Sequence, residues 1–151
     1  MNHEYRLITR SPGETQDFAR HLLKQLIAGD ILALVGDLAA GKTTFTQGLA
    51  AALAVDEYAA SPTFTYINEY HGADLDLIHV DAYRLHRGDE LEAMGFWEYL
   101  EKPAIAVIEW ADIVQSILPP DAFHLRFRAH DEEATWRIIQ VTSPRSLELE
   151  P

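Results

Sequence analysis

ILALVGDLAAGKTT, residues 31–44, holds two patterns back to back. ILALV (31–35) is apolar without polar alternation, as in a strand buried on both faces of a mostly parallel sheet. Gly36, Gly41, Lys42 and Thr43 then satisfy G-x-x-x-x-G-K-[ST], and FTQGLAAALA (45–54) extends a helix predicted from about Lys42 to Ala54. Buried strand, glycine-rich loop and helix in that order are the context in which the pattern means phosphate binding.

Each residue of the loop has a mechanical task. The glycines let the backbone turn so that its N–H groups, with the N-terminus of the next helix, face phosphate oxygens. Lys42 is placed to reach the β and γ phosphates as a point charge, and the Thr43 hydroxyl to ligate Mg²⁺.

Further groups are sought at other strand ends, because ligands of open α/β sheets lie beyond the carboxyl ends of the strands. Asp81 ends the apolar run LIHV, and Glu109 ends IAVI. With the loop, they make three strand ends converging on one crevice. Either carboxylate can hold Mg²⁺ through water while the other polarises an attacking water. In SPTFTY (61–66), Thr63 is the candidate for sensing the γ-phosphate and Mg²⁺ by ordering a switch segment. The guanine-reading Asn-Lys-x-Asp pattern is missing, which favours adenine. The seven histidines show no metal-ligand spacing and read as surface or sheet residues.

Around this centre, HEYRLITR (3–10) reads as a strand. Ser11, Pro12 and Glu14 form a capping box opening a helix whose apolar face is Phe18, Leu22 and Leu26, with Gly29 as its stop. TFTYINEY (63–70) and DLDLIHVD (74–81) predict a hairpin, GDELEAMGFWEYL (88–100) a helix, and AIAVIEW (104–110) a second buried strand. FHLRFRA (123–129) and TWRIIQV (135–141) predict a closing hairpin. The expected fold is an α/β single domain of P-loop NTPase type, residues 1–145, with a mixed, mostly parallel sheet, antiparallel hairpins and flanking helices. Residues 146–151 read as a C-terminal tail.

Composition narrows the function. Among 151 residues, 12 are basic and 24 acidic, a net charge of −12, a surface not built to hold nucleic acid by phosphate neutralisation, so any dealings with RNA would need a partner. The chain has no cysteine, which excludes thiolate metal sites and cysteine nucleophiles. No basic-then-apolar leader and no long apolar run is present, so a cytoplasmic protein without a membrane segment is expected.

The ordered set GDLAAGKTT, SPTFTYINEY, HVDAYRL, DELEAMGFWEYL and IEWAD resembles the bacterial TsaE family over residues 11–110. That resemblance implies an ATPase with ATP and Mg²⁺ as ligands, needed to form threonylcarbamoyladenosine next to the anticodon of tRNAs. It implies as nucleotide contacts Gly36, Asp37, Leu38, Ala39, Ala40, Gly41, Lys42, Thr43 and Thr44, with Thr63, Arg84 and Trp110. Lys42, Asp81 and Glu109 would be the catalytic residues, and Thr43, Asp81 and Glu109 the metal set. The implied partners are the threonylcarbamoyl-transferase subunit and its noncatalytic paralogue (TsaD and TsaB type), whose complex the hydrolysis would reset between turnovers. Trp110 is open to reading as a core aromatic or as shaping the nucleotide site, and Arg84 as a phosphate contact, a partner contact or a salt bridge. One departure is Ala39, where the family usually has glycine; a positive φ there would cost about 1 kcal/mol. A small-molecule kinase and a nucleotide-gated binding module are the alternatives, although no arginine-rich lid segment is visible.

Overall fold

The computed structural model describes residues 2–37, 40–55 and 66–149. Seven strands form one sheet: β1 (His3–Thr9), β2 (Ile31–Gly36), β3 (Ile67–Tyr70), β4 (Asp76–Asp81), β5 (Ala104–Glu109), β6 (Phe123–Ala129) and β7 (Arg137–Ser143). Their order is β1-β7-β6-β2-β5-β4-β3. β2 lies parallel between β5 and β6, and β4 parallel to β5, while β1–β7, β6–β7 and β3–β4 pair antiparallel. The expected mostly parallel sheet with antiparallel hairpins at its margins is therefore present, and the strand carrying the loop is central.

Two helices, α1 (Pro12–Leu23) and α2 (Lys42–Leu53), cover one face. Phe18, Leu22, Phe45 and Leu49 pack there against Leu34, Val107, Leu125 and Phe127. Gly48 makes the close helix crossing possible, since a Cβ on it would stand 2.7 Å from the Cα of Gln16. The opposite face of β2, β5 and β4 is closed by α3 (Gly88–Ala93), α4 (Phe96–Tyr99) and a 3₁₀ segment, Ala111–Ile117, through Leu91, Phe96 and Val114. Among the described residues no helix is long and apolar enough to cross a membrane.

Some boundaries differ from the sequence expectation. The helix predicted to stop at Gly29 ends at Leu23, and Gly29 instead turns the chain into β2, its N–H donating to the Ala104 carbonyl at 2.8 Å. Ser11 caps α1 by accepting from the Glu14 N–H at 3.1 Å, but the Glu14 carboxylate accepts from the Arg10 N–H at 2.9 Å, one residue ahead of the cap. The single helix expected over 88–100 is two, because Gly95 adopts φ 82°, outside the helical range. Beyond residue 145 the chain lies against β1 and α1: Leu147 is buried and its N–H donates to the Tyr5 hydroxyl at 2.8 Å, and the Glu148 N–H donates to Gln25 Oε1 at 2.7 Å.

Candidate nucleotide and hydrolysis site

The site grows from the end of β2. Gly36 has φ 149° and sits opposite Phe127 in the β2–β6 register. A Cβ there would stand 2.4 Å from the Phe127 carbonyl oxygen, so only glycine lets the loop leave the sheet at this point. Gly36→Ala is expected to lower stability by about 2–3 kcal/mol, the range of a strained backbone position with a steric clash, and to weaken nucleotide binding; thermal unfolding and nucleotide titration check both.

Gly41, with φ 113°, precedes α2. The two helix starts on this face contrast sharply. The α1 start is satisfied by Ser11 and has Glu14 in its first turn, whereas the α2 start has neither a side-chain cap nor an acidic residue. Among the described residues its first-turn N–H groups and dipole therefore meet no capping side chain and no first-turn anion, the condition in which a helix start accepts a phosphate. Thr43 is exposed and Thr44 half-buried in this first turn. Asp37 is exposed, its carbonyl accepting from the Ala40 N–H at 3.1 Å; Leu38, Ala39 and Thr63 lie outside the described residues.

Lys42 is 4 % exposed. Its ammonium donates to the Gly36 carbonyl at 2.6 Å and stands 3.9 Å from the centroid of the Trp110 ring, a cation–π contact. Burial draws its pKa below the usual lysine value, against the opposing fields of Glu109, Asp81, Asp112 and Asp37. One lysine among four carboxylates leaves the mouth of the loop net negative, which favours a cation between carboxylates and phosphates. Trp110 takes a left-handed conformation at φ 60°, uncommon for a non-glycine residue, and its ring leans on Tyr83 with centroids 5.0 Å apart. It is both half-buried against the cluster of Leu91, Phe96 and Val114 and a wall beside Lys42.

Asp81 and Glu109 are direct neighbours in the β4–β5 register, so both side chains project from the same face, toward α2. The Ala82 N–H donates to the Glu109 carbonyl at 3.0 Å, continuing the pairing past the strand. Asp81 Oδ1 accepts from the Tyr83 N–H at 3.0 Å. Among the described residues no group of three or more His, Asp or Glu side chains converges to hold a metal. Two carboxylates and the Thr43 hydroxyl still fit Mg²⁺, which keeps several waters and takes oxygens from substrate phosphates rather than from an all-protein cage. Arg84 is exposed beyond β4, making no hydrogen bond or ion pair with the described residues.

His79 was read from the sequence only as one of seven scattered histidines. It is fully buried, and its Nε2 lies 2.6 Å from Glu109 Oε2. The usable signal was the period of two: in H-V-D on a strand, His79 and Asp81 share a face, and the register adds Glu109 to it. The pair occupies Oε2 of the carboxylate and leaves Oε1 outside it. For a nucleotide-hydrolysing site built on Glu109, His79→Leu is expected to lower turnover roughly a hundredfold, within the range of a misaligned catalytic group, while nucleotide affinity holds. His79→Gln, which offers an N–H at similar reach, should recover part of the rate in a phosphate-release assay.

The chain's residues 9–139 match a family model described as threonylcarbamoyl adenosine biosynthesis protein TsaE. A Bacillus subtilis (strain 168) protein named tRNA threonylcarbamoyladenosine biosynthesis protein TsaE is 40% identical over 126 residues, 83% of this chain and 78% of that one. A Haemophilus influenzae protein of the same name is 36% identical over 127 residues, covering 83% of this chain and 80% of its own. The crystal structure of Bacillus subtilis YdiB superposes with a TM-score of 0.77 at 32% identity, over 95% of this chain and 87% of that one.

Proposed function

The chain belongs to the TsaE family, and on that premise we propose that it serves threonylcarbamoyladenosine formation in tRNA as an ATPase that binds and hydrolyses ATP with Mg²⁺. One arrangement carries this reading. Lys42, held at the mouth of a loop whose helix start lacks its own anion, is faced from two adjacent parallel strands by Glu109 and Asp81. A loop alone would bind phosphate; a loop opposed by two strand-end carboxylates also has groups to position Mg²⁺ and to activate water.

The roles divide by solvation. Glu109 is 8 % exposed and held by His79, a dry carboxylate suited to taking a proton from water. Asp81 is half-buried at the end of β4 and suited to the outer shell of a hydrated Mg²⁺. Lys42 would leave the Gly36 carbonyl for the β and γ phosphates, and Trp110 would wall the site beside it. Thr43 supplies a hydroxyl to the metal.

The reading includes a cytoplasmic partner complex, a transferase subunit and its noncatalytic paralogue of TsaD and TsaB type, with tRNA reached only through them. The net charge of −12 supports that indirect contact. Phosphate release with ATP and Mg²⁺, measured alone and with both partner proteins, tests it, and stimulation by the partners is the expected result. ATP consumed only together with phosphorylation of a metabolite would identify a kinase instead, and binding without turnover in either condition a nucleotide-gated module.

A further inference from the structure

The two faces of the sheet are covered unequally. Leu125 and Phe127 of β6 and Ile139 and Val141 of β7 pack in the core under α1 and α2. The alternate residues of these strands therefore face the other way, where α3, α4 and the 3₁₀ segment close the sheet at β2, β5 and β4. The registers set Arg6 of β1 opposite Gln140 of β7, Gln140 opposite Arg126 of β6, and Arg126 opposite Val35 of β2. One row thus crosses four strands, with its two arginines two strand spacings apart, roughly 10 Å. It lines a cavity of about 500 Å³ whose other wall is Asp112 and Gln115 of the 3₁₀ segment, a volume suited to a small molecule.

The charges around this space are unspent. The side chains of Arg6 and Arg126 are exposed and make no hydrogen bond or ion pair with the described residues. In a chain with twice as many acidic as basic residues, Arg20, Arg87, Arg128 and Arg145 each hold a carboxylate instead. The cavity has two carboxylates of its own, Glu4 and Asp112, and neither forms an ion pair with the described residues. His124 also lines it, but burial lowers its pKa, so it brings no charge at neutral pH.

Two positive and two negative groups select the ligand. A phosphate would gain the arginines and oppose Glu4 and Asp112; a simple cation would gain the carboxylates and oppose the arginines. A molecule with a carboxylate at one end and an ammonium at the other opposes neither. The arginine fork takes a carboxylate through two parallel N–H bonds, and an ammonium has three donors for carboxylate and amide oxygens. Glu4 stands two residues from Arg6 on the same strand face, whereas Asp112 comes from the opposite wall with Gln115 beside it, so the ligand spans the cavity toward Asp112.

We infer that this cavity binds a free amino acid with a small polar side chain, its carboxylate on Arg6 and Arg126 and its ammonium at Asp112 and Gln115. The place of the site gives it a regulatory consequence. Asp112 lies two residues after Trp110, whose ring is 3.9 Å from the Lys42 ammonium, and the field of Asp112 itself acts on Lys42. An ammonium beside Asp112 offsets one of the four carboxylates at the mouth of the phosphate loop, so the phosphates of a nucleotide meet less negative charge. Amino acid and nucleotide then bind with positive coupling, each raising the affinity of the other by the same factor. This coupling rests on the nucleotide-binding reading above; the amino-acid site does not.

The probe is L-threonine, a small polar amino acid and the one whose residue the proposed product carries. Saturation-transfer NMR on the full chain without nucleotide should show it bound. N-acetyl-L-threonine, which lacks the ammonium, and L-threonine methyl ester, which lacks the carboxylate, should each bind at least about tenfold more weakly, the size of a lost charge-assisted hydrogen bond. Arg126→Gln, a change at an exposed side chain, should weaken L-threonine about tenfold and leave ADP affinity measured without amino acid within about twofold. Saturating L-threonine should raise ADP affinity about fivefold, the low end for linked sites. Failure of L-threonine to bind overturns the site, as does equal binding of the three compounds, a comparison that needs no variant to fold. Unchanged L-threonine affinity in Arg126→Gln overturns it as well. L-Threonine bound with ADP affinity unchanged overturns the coupling. ADP bound without L-threonine removes the site and leaves the nucleotide reading standing, whereas L-threonine bound without ADP supports the site and removes the nucleotide reading and the coupling.

Discussion

Lys42→Ala is expected to remove nucleotide binding while the fold survives. The side chain is 4 % exposed, and its ammonium already uses the Gly36 carbonyl and the Trp110 ring as partners. The substitution therefore takes away both the charge that meets the phosphates and the group that closes the loop onto its own strand. Truncating one partner of a buried charge pair costs about 2–5 kcal/mol, so ATP affinity should fall by roughly 30-fold to several thousandfold. Four carboxylates whose fields act on Lys42, those of Glu109, Asp81, Asp112 and Asp37, would then face the incoming phosphates without it. Titration with labelled ADP reads the affinity, and circular dichroism reads the fold; wild-type affinity in a folded Lys42→Ala chain would end the phosphate-loop reading. Lys42 also sets a pH signature. Its folded pKa is lowered by burial, so between that value and the unfolded value near 10.5 the unfolded chain binds more protons, and the Lys42 contribution to stability rises with pH across the window. Nucleotide affinity runs the other way, because phosphates require the charged form. Both trends should vanish when wild type is compared with Lys42→Ala.

The central features were legible in the sequence because each had a local cause. An unbroken apolar run forces a strand to be buried on both faces, and the loop glycines and Lys42 follow it at fixed spacing. Asp81 and Glu109 could be placed because a carboxylate ending an apolar strand must emerge at its carboxyl edge. What could not be read depended on pairing between distant segments. Nothing local says that β6 lies parallel to β2 on the side away from β5, yet that neighbour makes Gly36 obligatory through the Phe127 carbonyl. His79 became a partner of Glu109 only through the β4–β5 register. Arg6 and Arg126 come to flank Gln140 only through the β1–β7 and β6–β7 registers. Smaller misreadings had local causes with two outcomes: Gly29 can stop a helix or turn into a strand, and Gly95 can be carried within a helix or divide it. The apolar–polar order of ADIVQSI gave no period for the 3₁₀ segment that follows Trp110.

Glu109→Gln is the complementary experiment, expected to keep nucleotide binding and abolish hydrolysis. The amide preserves the volume of a side chain that is 8 % exposed and can still accept from His79, so the packing at the ends of β4 and β5 is retained. Removing a negative charge beside the phosphates does not oppose binding, and affinity should hold or rise. In the proposed mechanism the proton acceptor is gone, however, and loss of general-base catalysis corresponds to roughly 10²–10⁴ in rate. Glu109→Ala should also lose hydrolysis, but by removing a side chain that touches buried His79 it should lower thermal stability as well, which separates the chemical effect from the structural one. Asp81→Asn supplies the contrast. With Asp81 in the outer shell of the metal, its amide should raise the Mg²⁺ concentration needed for half-maximal phosphate release, a dependence that Glu109→Gln leaves in place for binding. The two assignments exchange if Asp81→Asn abolishes turnover at saturating Mg²⁺ while Glu109→Gln is rescued by added Mg²⁺. Wild-type hydrolysis by Glu109→Gln would refute its role altogether, because no other described carboxylate is both buried and adjacent to Asp81 in the register.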